Sequence, residues 1–200
     1  GDLPEENQGT QTTHFSIIDQ EGNRVAATLS INNAFGAAFV PEGTGVLLNN
    51  EMDDFSVKPG VPNMYGAVGA DANAIAPGKR MLSSMTPTIV FKDNKPYLIV
   101  GTPGGTTITT SVFQTLINIL EFDMNAFDAV NKPKFHHQWL PDVIYVEPDF
   151  STAVRSELEK MGYKVSSRGQ IGRTEVIRIL PDGKIEAVGD KRGDDHAAGY

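Results

Sequence analysis

The residues of this chain that could do chemistry are mostly hydroxyls, glycines and carboxylates. Thr12 and Thr13 open the segment TTHFS, Ser83 and Ser84 sit inside GKRMLSSMTPT, and Gly104 and Gly105 precede an apolar, helix-like run. A threonine hydroxyl becomes a useful nucleophile only when a base takes its proton. Gly-Gly before a helix is either a plain strand-to-helix turn or a pair of backbone N–H groups aimed at an anion. Glu51, Asp53 and Asp54 crowd three carboxylates together without the spacing of a calcium loop. Read alone, they make a solvated turn. His136 and His137 are adjacent, so on a strand they point to opposite faces and cannot hold one ion together. With His14 and His196 remote in sequence, no metal site is expected, and FHHQWLP reads as aromatic and imidazole packing. The chain contains no G-x-S-x-G elbow, H-E-x-x-H pair, Walker loop or dinucleotide fingerprint.

The elements that must position these groups follow from periodicity and turn residues. THFSIID and RVAATLSIN, separated by a Gly-Asn turn, predict a β-hairpin. Thr28 and Ser30, two residues apart on its second strand, share a face. Residues 33–80 are broken by Gly, Pro and Asn, with only GVLLNN suggesting a strand; long irregular stretches of this kind are commonly functional loops or lids. TPTIVFKDNKPYLIVG predicts two strands around a DNK turn. Ile108, Val112, Phe113, Leu116, Ile117 and Leu120 then recur at helical spacing. A short helix at NAFDAVNKPKF ends near Pro133, and DVIYVE is a strand. Residues 151–161 form a helix with Ala153, Val154, Leu158 and Met161 on one face. GYKVSS, TEVIRIL and KIEAVGD are short strands, the last two joined by PDGK. Strand pairs interleaved with helices predict a layered α+β or α/β/α sandwich.

Composition narrows the classes. The 200 residues fit one domain, or a large piece of something bigger. The chain carries 17 Lys and Arg against 25 Asp and Glu, a net charge of −8, which repels phosphate backbones and argues against nucleic acid. No run approaches the ~18 uninterrupted apolar residues of a membrane span, and no signal peptide is visible. Zero cysteines exclude disulfides and thiolate chemistry. Residues 1–11 are polar and acidic and read as a flexible lead-in.

Taken together, TTHFS, NNEMDDFS, GKRMLSSMTPT, GTPGG and FHHQWLP, in that order, resemble the small subunit of the γ-glutamyltranspeptidases, from Thr12 to the terminal AGY. That family belongs to the N-terminal-nucleophile hydrolases, whose precursor cuts itself. The resemblance implies an α+β fold, specifically a four-layer αββα sandwich to which this chain contributes part of each layer. It implies that residues 1–11 are the tail of a large subunit, 12–200 the small subunit, and about 57–78 a lid loop.

The resemblance also distributes roles. Thr12 would be the nucleophile, its own freed α-amino group the base; while Gln11 is attached that nitrogen is an amide and cannot serve. Ser30, at a position commonly threonine in the family, would hydrogen-bond the nucleophile and assist cleavage. Gly104 and Gly105 would supply oxyanion donors, worth about 3–4 kcal/mol each. Asn32, Glu51 and Asp54 would hold the substrate's α-ammonium, and Ser83 and Ser84 its α-carboxylate, with an arginine from the large subunit. Thr28 joins the substrate-binding set, and Tyr65 would belong to the lid.

The activity so implied is transfer of a γ-glutamyl group from glutathione or a related donor to water, an amino acid or a peptide, without a cofactor or metal. The implied partner is the large subunit and the implied location periplasmic or extracellular. Alternatives are a related amidohydrolase acting on cephalosporin side chains or poly-γ-glutamate, or a non-catalytic homologue.

Overall fold

The structure, a computed structural model, describes residues 12–199; the expected lead-in at residues 1–11 lies outside the described residues. The first hairpin forms as its alternation requires: β1 (Thr12–Ile18) pairs antiparallel with β2 (Arg24–Ser30), placing Thr12 opposite Ser30. Its turn is locked by Asp19, whose carboxylate accepts from the backbone and side-chain nitrogens of Asn23, both at 2.7 Å. The hairpin's pattern is unusual. Thr12 and His14 are buried, whereas Phe15, Ile17, Val25 and Leu29 are exposed. A hydroxyl- and imidazole-bearing face thus turns inward, the reverse of ordinary sheet patterning.

The inward face packs on a second sheet. β3 (Thr88–Lys92) and β4 (Lys95–Gly101) are antiparallel strands joined at Asp93 and Asn94, whose φ values of 52° and 58° are those of the hairpin turn that matches strand twist. Next in the chain, α1 (Thr107–Leu120) and α2 (Ala126–Asn131) cover this sheet's other side. The Asn125 side chain caps α2 by accepting from Asp128 N at 2.8 Å. A short sheet of β5 (Phe135–His136), β6 (Ile144–Val146) and, after α3 (Thr152–Lys160), β7 (Val165–Ser167) stands beside α1. β8 (Glu175–Ile179) and β9 (Ile185–Val188) then complete the large sheet in the order β3-β4-β8-β9.

β4 is buried on both faces. Leu98 and Val100 join Val112, Ile119, Ala126, Ala129, Val130 and Val176 in the core against the helices. Ile99 and Gly101, pointing the other way, meet the first hairpin, as β1 and β2 both pack on β4. Among the described residues, the expected αββα sandwich is therefore represented by two facing sheets and one helical layer.

Two expectations change. GVLLNN is not a strand: residues 45–50 are irregular. Backbone bonds from Ala37 N to Leu48 O (2.8 Å) and Leu48 N to Phe39 O (3.0 Å) tie them to a loop, and Val46 and Leu48 stay exposed. Apolar runs become strands where a pleated neighbour receives them, and none does so here. The helix at 151–161 forms, but Val154 and Met161 on its apolar stripe remain exposed.

Candidate active site

Strand pairing itself assembles the centre. Because Thr12 and Ser30 are cross-strand partners on one face, their hydroxyl oxygens meet at 3.0 Å. Ser30 Oγ also accepts from Asn32 N at 2.8 Å, which fixes its rotamer although it lacks the methyl of threonine. Thr28 is engaged elsewhere on the same face: its hydroxyl bonds His14 Nδ1 at 2.8 Å, while His14 Nε2 meets Ser16 Oγ at 3.1 Å. Burial lowers the His14 pKa to about 4, so the imidazole is neutral at ordinary pH. His14 is a neighbour of Thr12 that sequence reasoning missed. The signal was present, since positions 12 and 14 of a strand share a face.

Gly104 (φ 144°) and Gly105 (φ 58°) adopt backbone conformations that favour glycine, immediately before α1. Among the described residues, neither N–H donates a hydrogen bond to the protein, although Gly105 is buried. Both peptide N–H groups therefore remain available at the positive end of a 14-residue helix. A β-carbon on Gly105 would come within 2.9 Å of the Tyr65 ring.

Tyr65 belongs to the expected lid. Residues 57–78 are irregular apart from a 3-10 turn at Asp71–Asn73 and isolated bridges, including Pro62 to Val68. Within the loop, Asn63 Oδ1 accepts from Tyr65 N and Ala67 N, both at 3.0 Å, and turns the chain. The Tyr65 hydroxyl donates to Asn32 Oδ1 at 2.5 Å, and Gln138 Nε2 donates to Tyr65 O at 3.2 Å. Burial, with Asp54, Glu51 and Asp53 nearby, raises the Tyr65 pKa to about 12 and keeps it a donor.

The acidic group lies on a one-turn 3-10 helix, Glu51–Asp54. Burial first, then the neighbouring Glu51 and Asp53 carboxylates, push the Asp54 pKa up to about 7. Glu51 Oε1 is buried without a hydrogen-bond partner. Asp53 is occupied, accepting from Met64 N at 3.1 Å. Far from being a solvated turn, this is a half-buried carboxyl cluster in which, among the described residues, Glu51 Oε1 has no donor.

The expected residues thus fall into a connected series and an outlying pair. Thr12, Ser30, Asn32, Tyr65 and Gly105 are linked by the contacts above, with Asp54 and Glu51 close enough to shift Tyr65. Ser83 is exposed and accepts from Met85 N at 3.1 Å; Ser84 O accepts from Thr109 Oγ1 of α1 at 3.3 Å. A cleft of about 960 Å3 opens beside Thr12 and Gly104, but Asn32, Glu51, Asp54, Ser83 and Ser84 are not in its wall. Among the described residues no cluster of side chains could hold a metal ion, and no helix is long and apolar enough to cross a membrane.

Comparison with known proteins identifies the family. The profile of the family described as gamma-glutamyltranspeptidase matches residues 2–200. The chain is 50% identical over 194 residues to the glutathione hydrolase proenzyme of Escherichia coli and 52% identical over 188 residues to that of Pseudomonas aeruginosa. These matches cover 96% and 92% of this chain but 33% of each relative, so the chain spans about a third of their length. A crystal structure of a Helicobacter pylori gamma-glutamyltranspeptidase mutant matches with a TM-score of 0.86 and 48% identity, covering 90% of this chain and all of that one. The inverted hairpin, the paired glycines and this agreement in sequence and fold place the chain in the gamma-glutamyltranspeptidase family.

Proposed function

We propose that the chain carries the catalytic machinery of a γ-glutamyl acyl transferase that acts after the backbone is cut before Thr12. The observation that carries this reading is the meeting of Thr12 and Ser30 at 3.0 Å, in a site where Gly104 and Gly105 leave their N–H groups free. Scission would give Thr12 a primary amine, which titrates near 7.7–8.0 and is partly neutral at working pH. The amine takes the hydroxyl proton as Thr12 Oγ1 attacks the γ-carbonyl. The two glycine N–H groups stabilise the oxyanion, and the proton passes to the departing amine as the amide breaks. From glutathione the products are cysteinylglycine and a γ-glutamyl ester on Thr12. Water then yields glutamate, or an amino acid or peptide amine yields a new γ-glutamyl amide; either regenerates the hydroxyl.

The substrate's amino-acid head accounts for the remaining groups. Its α-ammonium would supply the donor that Glu51 Oε1 lacks and ion-pair with Asp54, within reach of Asn32. Ser83 and Ser84 would take the α-carboxylate, helped by an arginine of the large subunit. Thr28 would contribute indirectly, by holding His14 behind Thr12. The partner is the large subunit of the same precursor, and the exposed apolar face of Phe15, Ile17, Val25 and Leu29 suits burial against it. A periplasmic or extracellular seat is part of the same reading.

The test is mass spectrometry of the matured two-chain enzyme quenched during turnover of γ-glutamyl-p-nitroanilide. A γ-glutamyl adduct on Thr12 is expected, with Thr12→Ala abolishing both the cleavage and the adduct. An adduct on another residue, or p-nitroaniline release by Thr12→Ala within tenfold of wild type, overturns the reading.

A further inference from the structure

The wall of the cleft beside Thr12 contains none of Asn32, Glu51, Asp54, Ser83 and Ser84, the residues assigned to the donor's amino-acid head. Besides Thr12 and Gly104 its wall includes Gln138, Tyr145, Arg168 and Arg173, and its volume of about 960 Å3 is ample for a dipeptide. A γ-glutamyl group seated toward Asp54 leaves this space to whatever departs from, or attacks, the acyl carbon.

The charge on that wall is distinctive. The Arg168 guanidinium lies over the Tyr145 ring, 5.8 Å from its centroid. Among the described residues Arg168 has no carboxylate partner, and its side chain donates no hydrogen bond. Among the described residues Arg173 reaches Asp194 at 3.4 Å and Asp195 at 3.8 Å, and Asp194 is fully exposed. Arg192, by contrast, is consumed by Glu147 at 2.6 Å and Asp190 at 3.0 Å. In a chain of net charge −8, an uncompensated guanidinium in a cleft marks a place for an anion.

The segment bearing these arginines is held firmly. Arg168 N donates to Val146 O at 2.8 Å, Ile171 N to Glu147 Oε1 at 3.0 Å, and Arg173 N to Thr102 Oγ1 at 2.7 Å. Gly172 (φ 66°) packs so closely that a β-carbon would lie 2.6 Å from Ser111 Oγ. Anchoring on the short sheet and at the end of β4, with close packing on α1, is what a preorganised binding group requires.

We propose that Arg168, with Arg173 in the same cleft wall, binds the terminal carboxylate of the leaving or accepting peptide, so that the enzyme selects acceptors and leaving groups ending in a free carboxylate. The proposal rests on the reading of Thr12 as the acylated nucleophile. It is tested on the matured two-chain enzyme with γ-glutamyl-p-nitroanilide as donor and either glycylglycine or glycylglycinamide as acceptor. In wild type, kcat/KM for the free acid is expected to exceed that for the amide by about tenfold, the scale of a charge-assisted pair. Arg168→Gln brings the ratio near one, and Arg168→Lys, which keeps the charge but not the planar fork, gives an intermediate value. The ratio is internal to each preparation, so partial maturation does not distort it. A wild-type enzyme that uses both acceptors equally overturns the proposal without any variant. So does an Arg168→Gln enzyme that keeps the wild-type ratio, including one that loses both activities equally. Failure of matured wild type to release p-nitroaniline would instead overturn the acyl-transfer reading beneath it.

Discussion

A β-carbon on Gly101 would press into the His14 imidazole, far inside van der Waals contact with its Cε1, Nδ1 and Nε2. The last residue of β4 is thus glycine because the face of β1 that carries Thr12 leaves room only for backbone. The packing is also dry: burial lowers the His14 pKa to about 4, and its two ring nitrogens are spent on Thr28 and Ser16.

Gly101→Ala should therefore destabilise the enzyme by about 1–3 kcal/mol, the usual scale of overpacking. It should also lower kcat, because displacing the ring disturbs its bonds to Thr28 and Ser16 on the face that carries Thr12. Thermal unfolding and kcat measured on the same preparation check both effects; an alanine variant matching wild type in both would show that the ring has another place to go.

Much of this scaffold was legible in the sequence, and the reasons are local. β1 with β2, and β3 with β4, were readable because alternating runs flank turn residues such as Asp93 and Asn94, both at positive φ. α1 was readable because its apolar period holds over four turns. GVLLNN misled because strand formation depends on a neighbouring strand, which a single segment does not reveal. The site was less legible. Spacing alone put Thr28 and Ser30 on one face, but the different duties of their hydroxyls depend on which β1 residue each one opposes. The roles proposed for Glu51, Asp54, Ser83 and Ser84 rest on the resemblance, since no local pattern ties residues this far from Thr12 in sequence to it. Nothing local distinguished Arg168 from other surface arginines: its lack of a partner among the described residues is a property of three-dimensional surroundings.

The carboxyl cluster gives a pH prediction. Asp54 holds its proton up to about pH 7 because it is half-buried beside Glu51 and Asp53. A donor's α-ammonium must displace that proton, so the donor KM should rise as pH falls below about 7, approaching tenfold per unit well below it. The stability effect runs in the opposite direction. With its folded pKa raised above the ordinary 3.8, Asp54 is destabilising once pH exceeds the unfolded value, and its full cost is present above about 7. Asp54→Asn should thus raise the thermal midpoint of the empty enzyme at pH 8 while raising the donor KM by at least tenfold and flattening its pH dependence. A γ-glutamyl analogue lacking the α-amino group should be much less affected. Equal losses for both donors would remove the ammonium-holding role.

The close approach of Gly105 to the Tyr65 ring would make the expected lid part of the proposed oxyanion site. Gly105→Ala places a methyl about 2.9 Å from Tyr65 Cε1 and imposes φ 58° on a residue that resists it. Either the ring moves, breaking its hydroxyl bond to Asn32, or the peptide rotates and turns its N–H away from the developing oxyanion. Loss of such a donor costs about 10²–10³ in kcat. The two routes are separable by a double-mutant cycle. If crowding by the ring is what displaces the peptide, Gly105→Ala should cost at least tenfold less in a Tyr65→Ala background than in wild type. Strict additivity of the two substitutions would mean that the ring yields freely and that the left-handed conformation at Gly105 alone limits the reaction.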